Sequence, residues 1–262
     1  MPDIKLPSTR LYYEERGSGS PILLINGTTG FTEVWGSAPE ELAKLGRTIA
    51  YDRRGCSRSE RPTLYDTTSV GQHGDDAAEL LGALNASPAV VIGRSYGGGV
   101  AVDLAMRYPE SVKALVLLEP ALIGLSDETT RYFADLFRDV LRDAERQGTM
   151  YAAESLLRAV LSDAGWEGLP EALRTKLAQN SPAVIAELTG GLLDLNPGDL
   201  VAVHQPVLIV SGASSPAGFR ELNQVLLSEL PDARLATVPG GHLITPADPQ
   251  VLAFVEDVIG NS

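Results

Sequence analysis

Short apolar runs alternate along the chain with longer stretches in which apolar residues recur with the period of a helix. The short runs are rich in Val, Ile and Leu, which is typical of buried β-strands. They predict strands at 10–15, Ile22–Ile25, Thr48–Tyr51, Val90–Ile92, Leu115–Leu118, Val207–Val210 and Arg234–Val238. The longer stretches predict helices at 67–85, 97–108, 217–230 and 247–259. This alternation predicts an α/β protein with a mostly parallel sheet flanked by helices on both faces.

Residues 121–203 depart from this alternation, because helical patterns follow one another there without a strand pattern between them. The predicted helices are Asp127–Gln147, Tyr151–Asp163, Glu171–Gln179 and Pro182–Leu193. The segment is too short and too closely connected to the rest of the chain to fold on its own. We therefore expect a helical cap over 121–203, inserted into a core that consists of residues 1–120 and 204–262.

The composition is that of a globular protein, with 44% hydrophobic and 21% charged residues among 262. A formal net charge of −13 disfavours nucleic acid and anionic membrane surfaces as partners. No apolar run approaches the roughly 20 residues of a membrane span, and the first residues lack the apolar centre of a signal peptide. We expect a soluble, cytoplasmic protein, and its oligomeric state stays open.

The candidate chemistry centres on Gly93-Arg94-Ser95-Tyr96-Gly97, which has the form G-x-S-x-G. A predicted strand precedes it and a predicted helix follows it, which is the setting of a nucleophile elbow. Gly93 and Gly97 leave room for strand and helix to approach each other while Ser95 holds a strained backbone angle. We expect the Ser95 hydroxyl to project from the carboxyl end of the sheet, where ligands bind in such folds. An ordinary glycine-rich turn with a surface serine is the alternative.

A serine hydroxyl becomes a good nucleophile only when a base accepts its proton. His242 follows the last predicted strand, so it lies in a loop at the same end of the sheet as Ser95. His73 occurs in a polar helix start, where we expect a solvated side chain. His204 precedes a strand at the opposite end of the sheet, where we expect a structural role. These three are the only histidines, and His242 is therefore the candidate base.

The chain resembles the α/β-hydrolase superfamily in four motifs that occur in the superfamily's order and spacing. They are Ile25–Thr28, the segment 51–59, the elbow at 93–97 and the loop Gly240-Gly241-His242. The resemblance covers nearly the whole chain outside the cap, and it implies the α/β-hydrolase fold with a catalytic triad. It also implies an oxyanion hole made by the backbone N–H groups of Tyr96 and of Thr28, with Gly27 as the alternative to Thr28. Asn26 stands where the superfamily usually has histidine.

The acid of the triad is absent from its usual place in the superfamily. An aspartate typically follows the strand that corresponds to Val207–Val210, but this chain has Gly212-Ala213-Ser214-Ser215 there. A serine does not supply the negative charge that stabilises an imidazolium ion. Either the triad is incomplete or the acid has moved to another strand.

Glu119 directly follows the predicted strand Leu115–Leu118, at the same end of the sheet as the elbow. Some α/β-hydrolases carry the acid at this position, including some haloalkane dehalogenases and the zearalenone lactonases, and the chain is most similar to the lactonases. A charge that ends an apolar strand must be solvated or paired. We predict that Glu119 is the triad acid. A purely structural Glu119 is the alternative, with Glu221 or Asp199 as the acid.

Four other residues of these motifs receive structural interpretations. Arg94 is expected to pair with a nearby carboxylate, and an acidic group of the substrate is the alternative partner. Asp52 and Arg53 are expected to shape the oxyanion loop. Cys56, the only cysteine, is expected to fill space, and it excludes an internal disulfide. No cysteine–histidine spacing indicates a metal site. Hydrolysis by a serine triad needs no metal or organic cofactor, and we expect neither.

Together these residues predict a serine hydrolase that cleaves a small, largely apolar carboxylic ester or lactone. The serine argues against haloalkane dehalogenase and epoxide hydrolase chemistry, which needs an aspartate nucleophile. Carbon–carbon bond hydrolysis, cofactor-free perhydrolysis and a non-hydrolytic small-molecule receptor on this scaffold are the alternatives. The cap residues that are candidates for the lining of an apolar pocket are Phe133, Phe137, Leu156, Trp166, Leu188 and Leu192. Packing between the cap and the core is the alternative for each of them.

Overall fold

The fold is built around a central sheet of eight strands, and the computed structural model describes residues 3–260. The strands are β1 Asp3–Lys5, β2 Arg10–Arg16, β3 Pro21–Ile25, β4 Arg47–Tyr51, β5 Ala89–Arg94, β6 Val112–Leu118, β7 Leu122–Ile123, β8 Leu193–Asp194, β9 Val207–Gly212 and β10 Ala233–Val238. The central sheet has the order β1-β2-β4-β3-β5-β6-β9-β10, and β7 pairs with β8 separately. From β4 to β10 in this order all neighbours are parallel. The pairings of β1 with β2 and of β2 with β4 are antiparallel.

Helices cover both faces of this sheet, as the sequence predicted. They are α1 Ala38–Leu42, α2 Val70–Ala83, α3 Tyr96–Arg107, α4 Asp127–Gln147, α5 Ala152–Leu161, α6 Asp163–Glu167, α7 Glu171–Ala178, α8 Ser181–Gly190, α9 Ala217–Glu229 and α10 Pro249–Gly260. The residues of β3 alternate between the two cores. Leu23 and Ile25 belong to one apolar cluster, and Ile22 and Leu24 belong to the other. None of the helices in residues 3–260 is long and apolar enough to cross a membrane.

The order of the strands places the site. After β3 the chain continues into β4 on one side, and it later returns to place β5 on the other side of β3. In an open parallel sheet, ligands bind beyond the carboxyl ends of the strands at such a switch point. Asn26 directly follows β3 and Ser95 directly follows β5, so both lie at this crevice.

The cap segment differs from the prediction in three places. It contains the short parallel strands β7 and β8, which are too brief to leave a periodic pattern in the sequence. The helix predicted at Tyr151–Asp163 is divided, because Ser162 has φ +72° and caps a new helix, α6. The helix predicted at Pro182–Leu193 ends at Gly190, where any β-carbon would collide with the carbonyl oxygen of Thr68.

His73 is fully buried, and the expectation of a solvated side chain was wrong. The residue lies on the face of α2 that turns towards α3 and the Arg53 side chain. Its Nε2 atom is 3.3 Å from Nη1 of Arg53 and 3.3 Å from Oγ1 of Thr68. Burial and the neighbouring guanidinium hold the pKa of His73 well below its ordinary value. The folded protein therefore keeps this imidazole neutral.

A neutral buried histidine makes stability depend on pH. Below about pH 6.5 the unfolded chain binds a proton at His73 that the folded chain does not, so this contribution destabilises the protein as the pH falls. We expect His73→Gln to remove a dependence of up to about 1.4 kcal/mol per pH unit from the free energy of unfolding. Urea unfolding at about pH 7 and about pH 5.5 measures it. The exposed His204 supplies the control, His204→Gln, and equal pH dependence in wild type and His73→Gln would contradict the prediction.

Candidate active site

The elbow serine lies in the strained turn that its sequence predicts. Ser95 has φ +52° and ψ −121°, between the end of β5 and the start of α3. Its N–H donates to the carbonyl oxygen of Leu118 at 3.0 Å, and its own carbonyl accepts from Gly98 and Ala121. A β-carbon at Gly97 would lie 2.3 Å from the carbonyl oxygen of Ile25, so only glycine permits α3 to approach β3 this closely. Backbone contacts on both sides thus hold the strained angle of the serine.

Glu119 is fully buried at the carboxyl end of β6, with φ +49°. Its Oε1 accepts a hydrogen bond from the N–H of Gly212 at 2.7 Å and one from Oγ of Ser211 at 3.3 Å. Its Oε2 lies 3.2 Å from Nδ1 of His242. The last residue of β9 therefore contributes an N–H group to the site.

His242 lies in the loop after β10, and its side chain is 5% exposed. The ring packs against Phe219 with centroids 4.2 Å apart, and Nδ1 faces Glu119. This orientation leaves Nε2 directed away from Glu119. Ser95 and His242 both line one mostly apolar cavity.

The two other candidate acids lie elsewhere. Asp199 accepts hydrogen bonds from the backbone and the side chain of Asn196 at 2.7 and 3.3 Å. Glu221 lines a separate surface groove together with Arg220. Within residues 3–260, Glu119 is the carboxylate in contact with His242.

Arg53 organises the loop that follows β3. Its Nε donates to the carbonyl oxygen of Asn26 at 2.9 Å, and its Nη2 donates to the carbonyl oxygen of Gly27 at 3.0 Å. In a trans peptide the C=O and the next N–H point in opposite directions, so the Thr28 N–H is turned away from Arg53. The guanidinium carbon also lies 4.9 Å from the centre of the Tyr96 ring. Tyr96 is the first residue of α3, and its N–H has no partner within the helix.

The cap reaches this loop through two buried side chains that sequence patterns did not single out. Glu187 of α8 forms an ion pair with Nη1 of Arg53 at 2.7 Å, and both side chains are fully buried. Asn180, which precedes α8, donates to the carbonyl oxygen of Thr29 and accepts from the N–H of Ser57, both at 2.8 Å. A buried acid or amide inside a helical pattern carries no local signal of its distant partner. These contacts became visible only in three dimensions.

A cavity of about 360 Å³ lies between the elbow, the loop after β3, the His242 loop and the cap helices. Asn26, Thr28, Arg94, Ser95 and His242 provide polar lining. Apolar side chains form most of the remaining wall: Phe133, Leu136, Phe137, Leu156, Leu157, Val160, Leu161, Leu169, Leu173, Leu177, Leu192 and Phe219. The wall is therefore mostly apolar, with polar groups gathered around the serine and histidine.

Four of the six predicted pocket residues line this cavity, namely Phe133, Phe137, Leu156 and Leu192. Trp166 and Leu188 do not. Both are buried in the packing of the cap against its surroundings. The side of a helix that faces the cavity depends on how the neighbouring helices pack.

The predicted pairing of Arg94 with a carboxylate was also wrong, since its partners are the carbonyl oxygen of Ile244 and the Trp35 ring.

The surroundings of Asp52, Cys56 and His204 indicate structural roles for these residues. Asp52 accepts from the N–H of Thr32 at 2.7 Å and from Nε of Arg58 at 2.9 Å, so it braces the loop after β3. Cys56 is fully buried, and burial raises the pKa of its thiol to about 12, which keeps it protonated. His204 is exposed just before β9. In residues 3–260, no cluster of His, Cys, Asp and Glu side chains is arranged to hold a metal ion.

Comparison with known proteins places this chain in a family. A family model of the alpha/beta hydrolase fold matches residues 20–248. An uncharacterized hydrolase of Bacillus subtilis (strain 168) is 34% identical over 143 residues, which cover 55% of this chain and 53% of that protein. A pimeloyl-(acyl-carrier protein) methyl ester esterase of Nitrosomonas europaea is 30% identical over 251 residues, which cover 88% of this chain and 92% of that protein.

Solved structures give the same result for the fold. A thermophilic esterase from Thermogutta terrifontis superposes with a TM-score of 0.77 at 24% identity, over 99% of this chain and 98% of that one. The enol-lactonase from Burkholderia xenovorans LB400 superposes with a TM-score of 0.71 at 24% identity, with the same coverage. The chain therefore belongs to the alpha/beta hydrolase fold family, and it is a hydrolase.

Proposed function

We propose that this hydrolase cleaves a small, largely apolar carboxylic ester or lactone through a triad of Ser95, His242 and Glu119. The observation that carries the proposal is the contact between Glu119 and His242, 3.2 Å from Oε2 to Nδ1, beside a cavity that Ser95 and His242 both line. A buried carboxylate on Nδ1 fixes the tautomer in which Nε2 accepts a proton. The name of the related methyl ester esterase supports ester chemistry as the starting point.

In the proposed mechanism, Oγ of Ser95 attacks the carbonyl carbon while Nε2 of His242 takes the hydroxyl proton. The N–H groups of Thr28 and Tyr96 hold the negative charge that develops on the carbonyl oxygen. Collapse of the tetrahedral intermediate breaks the bond to the alcohol oxygen, which receives the proton from His242. An acyl-enzyme on Ser95 remains.

Water completes the reaction. His242 takes a proton from a water molecule, whose oxygen attacks the acyl carbon, and the second tetrahedral intermediate releases the acid and restores the Ser95 hydroxyl. With a lactone the alcohol and the acid stay on one molecule, so ring opening gives a hydroxy acid. The apolar wall of the cavity suits the hydrocarbon part of either substrate.

The proposal predicts that a fluorophosphonate labels Ser95 covalently. An activated serine attacks the phosphorus of the probe as it would attack the carbonyl carbon of a substrate. Mass spectrometry with peptide mapping should find one adduct, on Ser95. Ser95→Ala should not react, whereas Ser215→Ala, which alters a buried serine outside the proposed triad, should react like wild type. The same proteins are then assayed on a panel of short esters and lactones. A wild-type protein that neither binds the probe nor turns over any member of the panel would contradict the proposal.

A further inference from the structure

Arg94 is one of the residues that line the cavity, and the residue is 7% exposed. Its Nη2 donates to the carbonyl oxygen of Ile244 at 2.8 Å, and its guanidinium carbon lies 4.2 Å from the centre of the Trp35 ring. Its Nε–H is buried without an acceptor. These contacts hold the guanidinium in place but neutralise none of its charge.

Each of the other two buried arginines of residues 3–260 forms an ion pair with a carboxylate. Nη1 of Arg53 is 2.7 Å from a carboxylate oxygen of Glu187, and Nη2 of Arg54 is 2.5 Å from one of Asp76. Arg94 forms no ion pair with any carboxylate in the described part of the chain. Burial without such a partner lowers the pKa of Arg94 to about 10, so the group still carries its charge at neutral pH. A buried charge normally has an oppositely charged partner.

Among residues 3–260, one acid shares the cavity wall, and it already has partners. Glu33 lies at the rim, 48% exposed, with Oε2 at 2.5 Å from Nζ of Lys176 and Oε1 at 3.7 Å from Nη1 of Arg58. Two cations therefore satisfy this carboxylate. The charge of Arg94 remains uncompensated in a wall that is otherwise mostly apolar.

We infer that Arg94 binds a carboxylate that the substrate carries in addition to its ester or lactone bond. A guanidinium presents planar N–H donors that match the geometry of a carboxylate, and one monoanion balances its single charge. Because Arg94 and Ser95 are adjacent in the chain and line one cavity, a single small molecule can contact both. The inference rests on the proposed function, and it narrows the substrate class to esters or lactones of carboxylated acids or alcohols.

Matched substrates test this inference on the wild-type protein alone. One series consists of 4-nitrophenyl esters with four-, six- or eight-carbon acyl chains that end in a carboxylate or in a methyl group. A second pair places the carboxylate on the alcohol side, as 4-carboxyphenyl and phenyl hexanoate. We expect at least one carboxylated ester to exceed its neutral counterpart in kcat/KM by about tenfold or more, mainly through KM. A wild type that hydrolyses the neutral esters and prefers none of the carboxylated ones overturns the inference but leaves the proposed function intact.

Arg94→Gln then assigns the preference to this side chain, because glutamine keeps a donor for the Ile244 carbonyl and removes the charge. We expect the ratio of kcat/KM between the carboxylated and the neutral ester to fall about tenfold or more. Arg146→Gln removes an exposed arginine at the end of α4 and should keep the ratio of the wild type. If Arg94→Gln lowers both kcat/KM values by the same factor, Arg94 only supports the His242 loop and the inference is overturned. Absence of turnover with every ester would count against the proposed function itself.

Discussion

Replacing Glu119 with glutamine is expected to lower kcat for ester hydrolysis by about 10⁴-fold, with little change in KM. The geometry fixes how the amide would lie. The N–H of Gly212 occupies Oε1 at 2.7 Å, so the amide oxygen takes that position and the NH₂ group faces Nδ1 of His242. Nδ1 must then accept a hydrogen bond, which moves the ring proton to Nε2. In that tautomer His242 has no lone pair available for the proton of Ser95.

Two carboxylates provide matched controls for this variant. Asp199→Asn and Glu221→Gln remove one charge each from sites that do not contact His242, and both should keep the activity of the wild type. Steady-state kinetics on one ester, together with thermal unfolding of all four proteins, separates loss of chemistry from loss of fold. Full turnover by Glu119→Gln, with a loss in either control, would assign the acid to another residue.

The second large effect is on stability and concerns Glu187. Glu187→Gln keeps the shape of the side chain but leaves the fully buried Arg53 without its carboxylate. Breaking a buried ion pair by changing one partner typically costs about 3–5 kcal/mol, because the remaining charge stays buried and uncompensated. We expect a loss of this size in the free energy of unfolding, measured by urea denaturation. Activity should fall as well, since Arg53 holds the carbonyl oxygens of Asn26 and Gly27.

A surface pair in the cap is the control for Glu187. Glu154 forms an ion pair with Arg158 at 2.8 Å on α5, where both side chains remain partly solvated. Glu154→Gln should change the free energy of unfolding by about 0–1 kcal/mol. Equal stability of Glu187→Gln and the wild type would mean that Arg53 is sufficiently compensated by its carbonyl contacts, contrary to this prediction.

The parts of the fold that depend on local patterns could be predicted from the sequence. The strands around Leu23 and Val91 are short apolar runs, and the glycines two residues before and after Ser95 identify a tight strand–helix turn. The position of Glu119 beside the His242 loop could also be predicted. A charge at the end of an apolar strand needs a partner, and the strand order places that end beside the last loop. These inferences need only periodicity and the rule that parallel strands share an edge.

What could not be predicted depends on contacts between residues that are distant in the sequence. His73 has polar neighbours along the chain, yet it is buried because α2 packs over Arg53. Trp166 and Leu188 resemble Phe133 in apolar character, and only the packing of the cap decides which of them reaches the cavity. The ion pair of Arg53 with Glu187 links two positions far apart in the chain, so no local pattern connects them.

The placement of the cap has a consequence for how new specificities arise. β6 and β9 are parallel neighbours, so a crossover connection must join them. This connection is the segment that contains α4–α8. Recombination that exchanges this crossover would leave Ser95 and His242 in the recipient and replace most of the apolar wall. Not every donor is compatible, however. An incoming segment without an acid at the place of Glu187 would leave Arg53 buried and unpaired beneath the loop after β3. This single position therefore restricts which caps are compatible with this core.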